Sequence, residues 1–192
     1  MIWNDHSRDI PEGAHAFLSA SQYHWLNYDE EKMLAVYKNR QAAIQGTKIH
    51  DFARQCIELG QKLPKSKKTL NSFVNDAIGY KMRPEQQLYF SQNCFGTSDA
   101  ISFKDNLLRI HDLKTGTIPA SMHQLEIYAA LFCLEYGKDP TNIDMEFRIY
   151  QNDEIVVGQP EGELIGDVMN KIIFFDKLIE KAKDEGDLVW TS

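Results

Sequence analysis

The chain has 192 residues, 43% of them hydrophobic and 26% charged, which suits one globular domain with a proper core, or two small ones. No apolar run approaches the length of a membrane span. The net charge of -7 argues against a generic basic nucleic-acid coat, yet leaves room for an enzyme whose clustered carboxylates hold a divalent cation.

The opening "MIWNDHSRDIPEG" lacks the basic-then-apolar pattern of a signal peptide, so the expectation is a cytoplasmic protein. "LSASQYHWLNY" starts a short helical pattern at Ser19 or Ser21. "DEEKMLAVYKNRQAAIQGTKIHDFARQCIELG" has acids in its first turn and Gly60 as a C-cap, predicting one long helix or two consecutive ones. "QKLPKSKK" is a basic loop around Pro64, either solvated or a phosphate contact. "TLNSFVNDAIGY" is a further short helix.

The pattern then alternates. "QQLYFSQ", "FGTSDAISF" and "LLRIHDLK" read as strands, with "KDN" as the turn between the last two. "PASMHQLEIYAALFCLEYG" predicts a helix opened by its proline and closed by Gly137, with Leu125, Ala129 and Phe132 as a core stripe. "IDMEFRIYQ" and "EIVVGQ" predict a hairpin across residues 152 and 153, followed by a C-terminal amphipathic helix over about 162–186. The fold class expected is mixed α/β or α+β, a central mixed sheet of about five strands flanked by helices. Cys56, Cys94 and Cys133 have no CxxC spacing and read as buried free thiols.

One constellation stands out. In "HDLKTG", Asp112 and Lys114 lie two apart at the end of a strand, hence on one face. A hairpin centred on "KDN" sets Asp99 beside Asp112. Like charges so placed are destabilising without a counter-ion, and hard divalent cations prefer carboxylate oxygens. The arrangement favours a metal-assisted hydrolase in which Lys114 stabilises charge or activates water. A salt-bridged hairpin explains the same three residues. His111 points to the opposite face and reads as structural, while His6, His15, His24 and His123 have no interpretable spacing.

"FGTSDAISF" followed by "HDLKTG" resembles the core of the PD-(D/E)XK nuclease superfamily. "HQLEIYAALF" resembles the Gln-x-x-x-Tyr element of its RecB-type exonuclease branch, "GTKIH" that branch's Gly-x-x-x-His helix, and "LSAS" its N-terminal start. Together these cover about residues 18–136, in the family's order and nearest to phage-borne and recombination-associated members.

The resemblance implies a restriction-endonuclease-like core within one nuclease domain over 1–192: core about 18–160, helical N-terminal part 18–80. Asp99 and Asp112 would be metal-binding carboxylates, the carbonyl of Leu113 a further ligand, and His50 the extra ligand of the RecB-type branch. Lys114 would orient or activate the attacking water. Gln124 and Tyr128, four apart on a helix, would line the DNA-facing cleft, with Glu85 at roughly the place of an upstream acid. One or two Mg²⁺ or Mn²⁺ ions are implied, with the imidazole favouring Mn²⁺.

Three cysteines, none beyond Cys133, do not supply the four-cysteine iron-sulfur cluster of some relatives, so none is expected. The implied function is a DNA exonuclease of recombination or repair. Its candidate partners are DNA, a single-strand annealing protein, a helicase or another recombination protein, with no membrane partner and an oligomer compatible. A restriction-type or structure-selective endonuclease and a catalytically idle nucleic-acid-binding module are the alternatives.

Overall fold

The computed structural model describes residue 8 and residues 15–185. Most of the opening stretch, His6 and Gly186 at the end of the expected last helix lie outside them. The chain divides into two compact units, with the boundary between Gln45 and Gly46. That boundary falls inside the first α-helix, α1 (Glu30–Glu58). Among the described residues, no helix is long and apolar enough to cross a membrane.

In the first unit, a 3-10 helix, Ala20–Asn27, precedes α1. Ser19 stands at its N-cap position, but its hydroxyl pairs with Ser21 Oγ at 3.0 Å instead of capping the turn. The start of α1 is capped by Asp29, whose Oδ1 accepts from the Lys32 amide at 2.8 Å. Glu30 and Glu31 follow in the first turn, where the helix dipole favours them. Phe17 packs edge-on to Tyr37 with ring centres 5.3 Å apart.

The second unit begins with the rest of α1, a single helix as far as Glu58. Gly60 ends it at φ 65°, a left-handed conformation that favours glycine, and Gln61 N–H returns to Cys56 O at 2.8 Å. After the basic loop come α2 (Thr69–Gly79), β1 (Arg83–Ser91), β2 (Cys94–Lys104), β3 (Leu107–Leu113), α3 (His123–Tyr136), β4 (Asp144–Gln151), β5 (Glu154–Gly158) and α4 (Gly162–Asp184).

The fold class is mixed α/β: one five-stranded sheet in the order β1-β2-β3-β4-β5, flanked by helices, with β3 and β4 parallel and the other pairs antiparallel. Two tight turns set the antiparallel registers. Asp105 and Asn106 join β2 to β3, and Asn152 and Asp153 join β4 to β5, all four with positive φ. Asn and Asp tolerate that conformation, and it matches the twist of the paired strands. The parallel pair requires a crossover, which α3 supplies.

Helix α3 starts at His123, four residues later than its proline suggests. The buried side chain of Gln151 explains the delay. Its Oε1 accepts from the Ala120 amide at 3.0 Å, and its Nε2 donates to Gly116 O at 2.6 Å and Ile118 O at 2.8 Å. Residues 116–120 are thereby held non-helical.

Apolar residues cover both faces of the sheet. Leu108, Ile110 and Phe147 pack with Leu125, Ala129 and Phe132 of α3 and Ile165 of α4. On the other face Ala100, Leu113 and Tyr150 pack with Ala53 and Ile57 of α1 and Phe73, Val74 and Ala77 of α2. Cys56 and Cys133 are buried free thiols, while Cys94, at the start of β2, is half-buried.

A polar network lies in the second layer. His111 Nδ1 is 3.2 Å from the Tyr150 hydroxyl, which donates to Asp76 Oδ2 at 2.8 Å. Arg148 donates to the same Asp76 oxygen at 3.1 Å and to the Tyr80 hydroxyl at 3.0 Å. Burial, then the charges of Arg148 and Arg109, lower the His111 pKa to about 3. Its imidazole is neutral in the folded protein, whereas an unfolded histidine takes its proton near pH 6.5.

Between those values the unfolded chain binds a proton that the native one rejects, so stability is full above pH 6.5 and falls as the pH drops toward 3. Melting temperatures recorded in EDTA from pH 7.5 to 5 should decline for the wild type and decline less for His111→Phe. Equal acid slopes for the two proteins would refute this account.

Candidate metal centre

Asp99, Glu85 and Asp112 are brought together by register. The β2–β3 ladder pairs Ala100 with His111 and Ile101 with Ile110, so one further step sets Asp99 opposite Asp112. The Leu113 N–H donates to Asp99 Oδ2 at 2.8 Å and holds that carboxylate against the end of β3. On the other side, the pairs Pro84–Ala100 and Gln86–Ser98 bracket Glu85 and Asp99.

Glu85 itself has φ 48°, a left-handed residue inside a strand. Such backbone is costly for a residue with a Cβ and persists where surrounding structure imposes it. His50, on α1, brings Nδ1 to 3.4 Å from Asp99 Oδ1. One ligand atom each from His50, Glu85 and Asp99 fall within 4.8 Å of one another.

Asp112 lies next to this group and is almost fully buried, 1% exposed. Period two along β3 puts it on the face of Leu108 and Ile110, the side covered by α3. Its Oδ1 accepts from Lys114 Nζ at 3.2 Å. Its Oδ2 is 3.0 Å from the same ammonium, but the angle lies outside hydrogen-bond geometry, so this buried oxygen has no hydrogen-bond partner.

Lys114 is in turn held by α3, donating to Gln124 Oε1 at 2.6 Å. Gln124 Nε2 donates to the Tyr128 hydroxyl at 2.8 Å. Asp112, Lys114, Gln124 and Tyr128 thus form one continuous chain of polar contacts. Two glycines let the elements close around it. A Cβ on Gly96 would stand 2.9 Å from Tyr128 Cε1, and one on Gly46, a turn before His50, would stand 2.9 Å from Thr115 Oγ1.

The electrostatics are those of a cluster short of positive charge. The hydrogen bond with Asp99 raises the pKa of His50 above its ordinary 6.5, outweighing burial, with the charges of Asp99, Glu85 and Asp112 adding to the rise. Burial and then the Asp99 charge push the carboxyl of Glu85 up. Burial and then the Asp99 charge do the same for Asp112, against the pull of Lys114. Burial also raises the Tyr128 phenol.

The donor set fits a divalent cation. Ligand atoms bonded at about 2.1 Å lie within about 4.2 Å of each other, close to the size of the His50–Glu85–Asp99 group. The orphaned Asp112 Oδ2 supplies a further oxygen beside it.

Of the expected ligands, His50 and Asp99 fall in the three-residue group, and Asp112 and the backbone of Leu113 adjoin it. Lys114, Gln124 and Tyr128 form the adjoining polar chain. Glu85, assigned from sequence to the DNA-facing cleft, has its carboxylate in the ligand group instead. The strand expected from Gln86 begins at Arg83, and extending it by one pairing step beyond Gln86–Ser98 is the signal that joins Glu85 to Asp99. No family model matches the chain, and no curated protein matches it.

An ionised carboxylate whose pKa is raised in the native state lowers stability at neutral pH, because the folded protein favours the protonated form there. In EDTA at pH 7.5, Asp112→Asn should therefore melt a few degrees above the wild type. Adding Mn²⁺ should raise the melting temperature of the wild type and leave the variant nearly unmoved. A variant that melts lower would mean that the contact with Lys114 outweighs burial.

Proposed function

We propose that the chain is a metal-dependent deoxyribonuclease of the PD-(D/E)XK type, hydrolysing phosphodiester bonds as an exonuclease in phage or bacterial recombination or repair. The observation that carries this reading is the meeting of His50, Glu85 and Asp99 beside a buried carboxylate, Asp112, whose second oxygen has no hydrogen-bond partner. A structural salt bridge has no need of three carboxylates of which one, Asp99, opposes ionisation of the other two. A site that takes up a cation does.

His50, Glu85, Asp99 and Asp112 are the residues that would hold Mg²⁺ or Mn²⁺, with the Leu113 carbonyl as a further donor. Such an ion polarises a scissile phosphate and lowers the pKa of a bound water. The protein's own groups do the rest. The Leu113 amide fixes Asp99, so its free oxygen faces His50.

Lys114 has three N–H donors, of which Asp112 and Gln124 take two. The third remains for a phosphate oxygen, where the ammonium would offset the negative charge carried by the non-bridging oxygens as water attacks phosphorus. Gln124, anchored to Tyr128, keeps Lys114 from folding wholly onto Asp112. His50 must be neutral to ligate, so protons compete with the cation below a pH that lies above 6.5.

The test is incubation with end-labelled linear and closed-circular DNA in Mg²⁺, Mn²⁺ or EDTA. Linear DNA should be degraded with either cation, and circular DNA and the EDTA samples should stay intact. Lys114→Ala should lower the rate roughly a hundred- to a thousandfold while calorimetry still detects Mn²⁺ binding. Mn²⁺ affinity of the wild type should fall as the pH is lowered through the raised His50 value, and His50→Ala should flatten that dependence. Cleavage that persists in EDTA would overturn the proposal, and cleavage of circular DNA would make the enzyme an endonuclease.

A further inference from the structure

We infer that the loop of residues 61–68, through Lys62, Lys65, Lys67 and Lys68, contacts the sugar-phosphate backbone of DNA several nucleotides from the scissile bond. This rests on the reading of the chain as a DNA-cleaving enzyme.

The first observation is charge. Four lysines and no acid fall within eight residues of a chain whose net charge is -7. All four are exposed, and among the described residues none of them makes an ion pair. Lys68 is the N-cap residue of α2 and Lys67 precedes it, at the end of a helix where the dipole disfavours cations. Folding stability gives no reason for that placement. A polyanionic partner does.

The second observation is order. The loop is tied to α2 by two asparagines. Asn75 exchanges hydrogen bonds with both the N–H and the C=O of Leu63, each 2.9 Å. Asn71 Nδ2 donates to Pro64 O at 2.8 Å and to Ser66 Oγ at 3.0 Å. The lysine stems therefore leave from a fixed backbone, which reduces the entropy lost on binding. Lys62 and Lys65 line one depression together with the hydroxyls of Ser66 and Ser72.

The third observation is position. Strands β3 and β4 are parallel, so the C-terminal end of β3, which bears Asp112, lies at the same end of the sheet as Gln151 and the turn after it. That turn reaches the loop directly: Asp153 Oδ1 accepts from the amide of Thr69 at 3.1 Å and from its hydroxyl at 3.2 Å. Thr69 is the residue after Lys68. From β2, which carries Asp99, to β5, which begins beside this turn, is three strand spacings. At about 4.8 Å each these make about 14 Å along the sheet, and the loop packs with α1 and α2 on the face opposite Lys114, so the separation is at least about four base steps along one strand of a duplex.

The experiment compares the full-length wild type, Lys65→Ala/Lys67→Ala/Lys68→Ala, and the matching triple arginine variant. Binding of a fluorescein-labelled 20-base-pair duplex is followed in Ca²⁺ from 50 to 200 mM salt, and cleavage of the duplex and of a thymidine dinucleotide in Mn²⁺. Losing three phosphate contacts lowers the salt slope by about 2.7, so wild-type affinity should fall about 40-fold further over this range than that of the alanine variant.

Cleavage of the dinucleotide, too short to reach the loop, should be equal in all three, and arginine should restore the slope. Equal slopes for wild type and alanine variant, with wild-type cleavage intact, would overturn the loop's role and leave the enzyme assignment standing. A parallel loss of dinucleotide cleavage would make the loop structural. A wild type that cleaves neither substrate would remove the enzyme assignment, and the loop's role with it.

Discussion

Two carboxylates facing each other across neighbouring strands are the constraint around which this structure is arranged. Asp99 and Asp112 meet because the two-residue turn at Asp105 and Asn106 fixes the β2–β3 register. A one-residue slip would turn Asp112 and Lys114 to the other face of the sheet, toward α1 and α2. Once the carboxylates are opposed, each neighbour has a task. Leu113 N–H ties down one oxygen, His50 approaches another, and Lys114 offsets part of the charge. What remains is a half-buried Glu85, whose carboxyl is pushed up by burial and then by the Asp99 charge.

Strand β3 separates two opposite solutions to burial. His111 and Asp112 are adjacent, both buried, and face opposite sides. Behind the sheet, Tyr150 and Arg148 both donate to Asp76, and the imidazole stays neutral because it is buried and because protonation would add a third cation near Arg148 and Arg109. In front, burial and then the Asp99 charge oppose ionisation of Asp112, against the pull of Lys114. The rear network ties β3, β4 and α2 together, although His111 Nε2 and Arg148 Nε are left there without hydrogen-bond partners. What sets the front cluster apart is its chemistry: carboxylates gathered beside one imidazole and one ammonium, on a base fixed by the strand register.

Elements whose signals are local could be read directly from the chain. The two Asn/Asp turns, the glycine at the end of α1, the alternating strands and the Asp-x-Lys spacing each depend on a few consecutive residues, and the structure has them where they were expected. The start of α3 was misplaced because Pro119 is a good first-turn residue locally, while Gln151, some thirty residues later, holds the segment before His123 by three hydrogen bonds. Ser19 has the right residue type for a cap and uses its hydroxyl elsewhere. Glu85 escaped for a related reason. Its place beside Asp99 depends on β1–β2 pairing and on a left-handed backbone that glutamate rarely adopts. His50 was accessible through resemblance alone, since nothing local connects a helix residue to strands that follow some fifty residues later.

An acidic protein that acts on a polyanion must solve a problem of distribution. With 28 acids against 21 basic side chains, attraction to DNA cannot come from the surface as a whole. It has to be concentrated, because screening confines each exposed charge to about 8–10 Å at ordinary ionic strength. The acids of the centre then work in two senses. Empty, they repel phosphate. Loaded with a cation, the same residues attract it. For the nuclease proposed above, binding of the nucleic acid would in this way be coupled to occupancy of the site, and the lysines of the 61–68 loop would provide an attraction that does not depend on it. Separating the two would let such an enzyme engage DNA through a permanent contact while productive approach of the scissile phosphate waits for the metal.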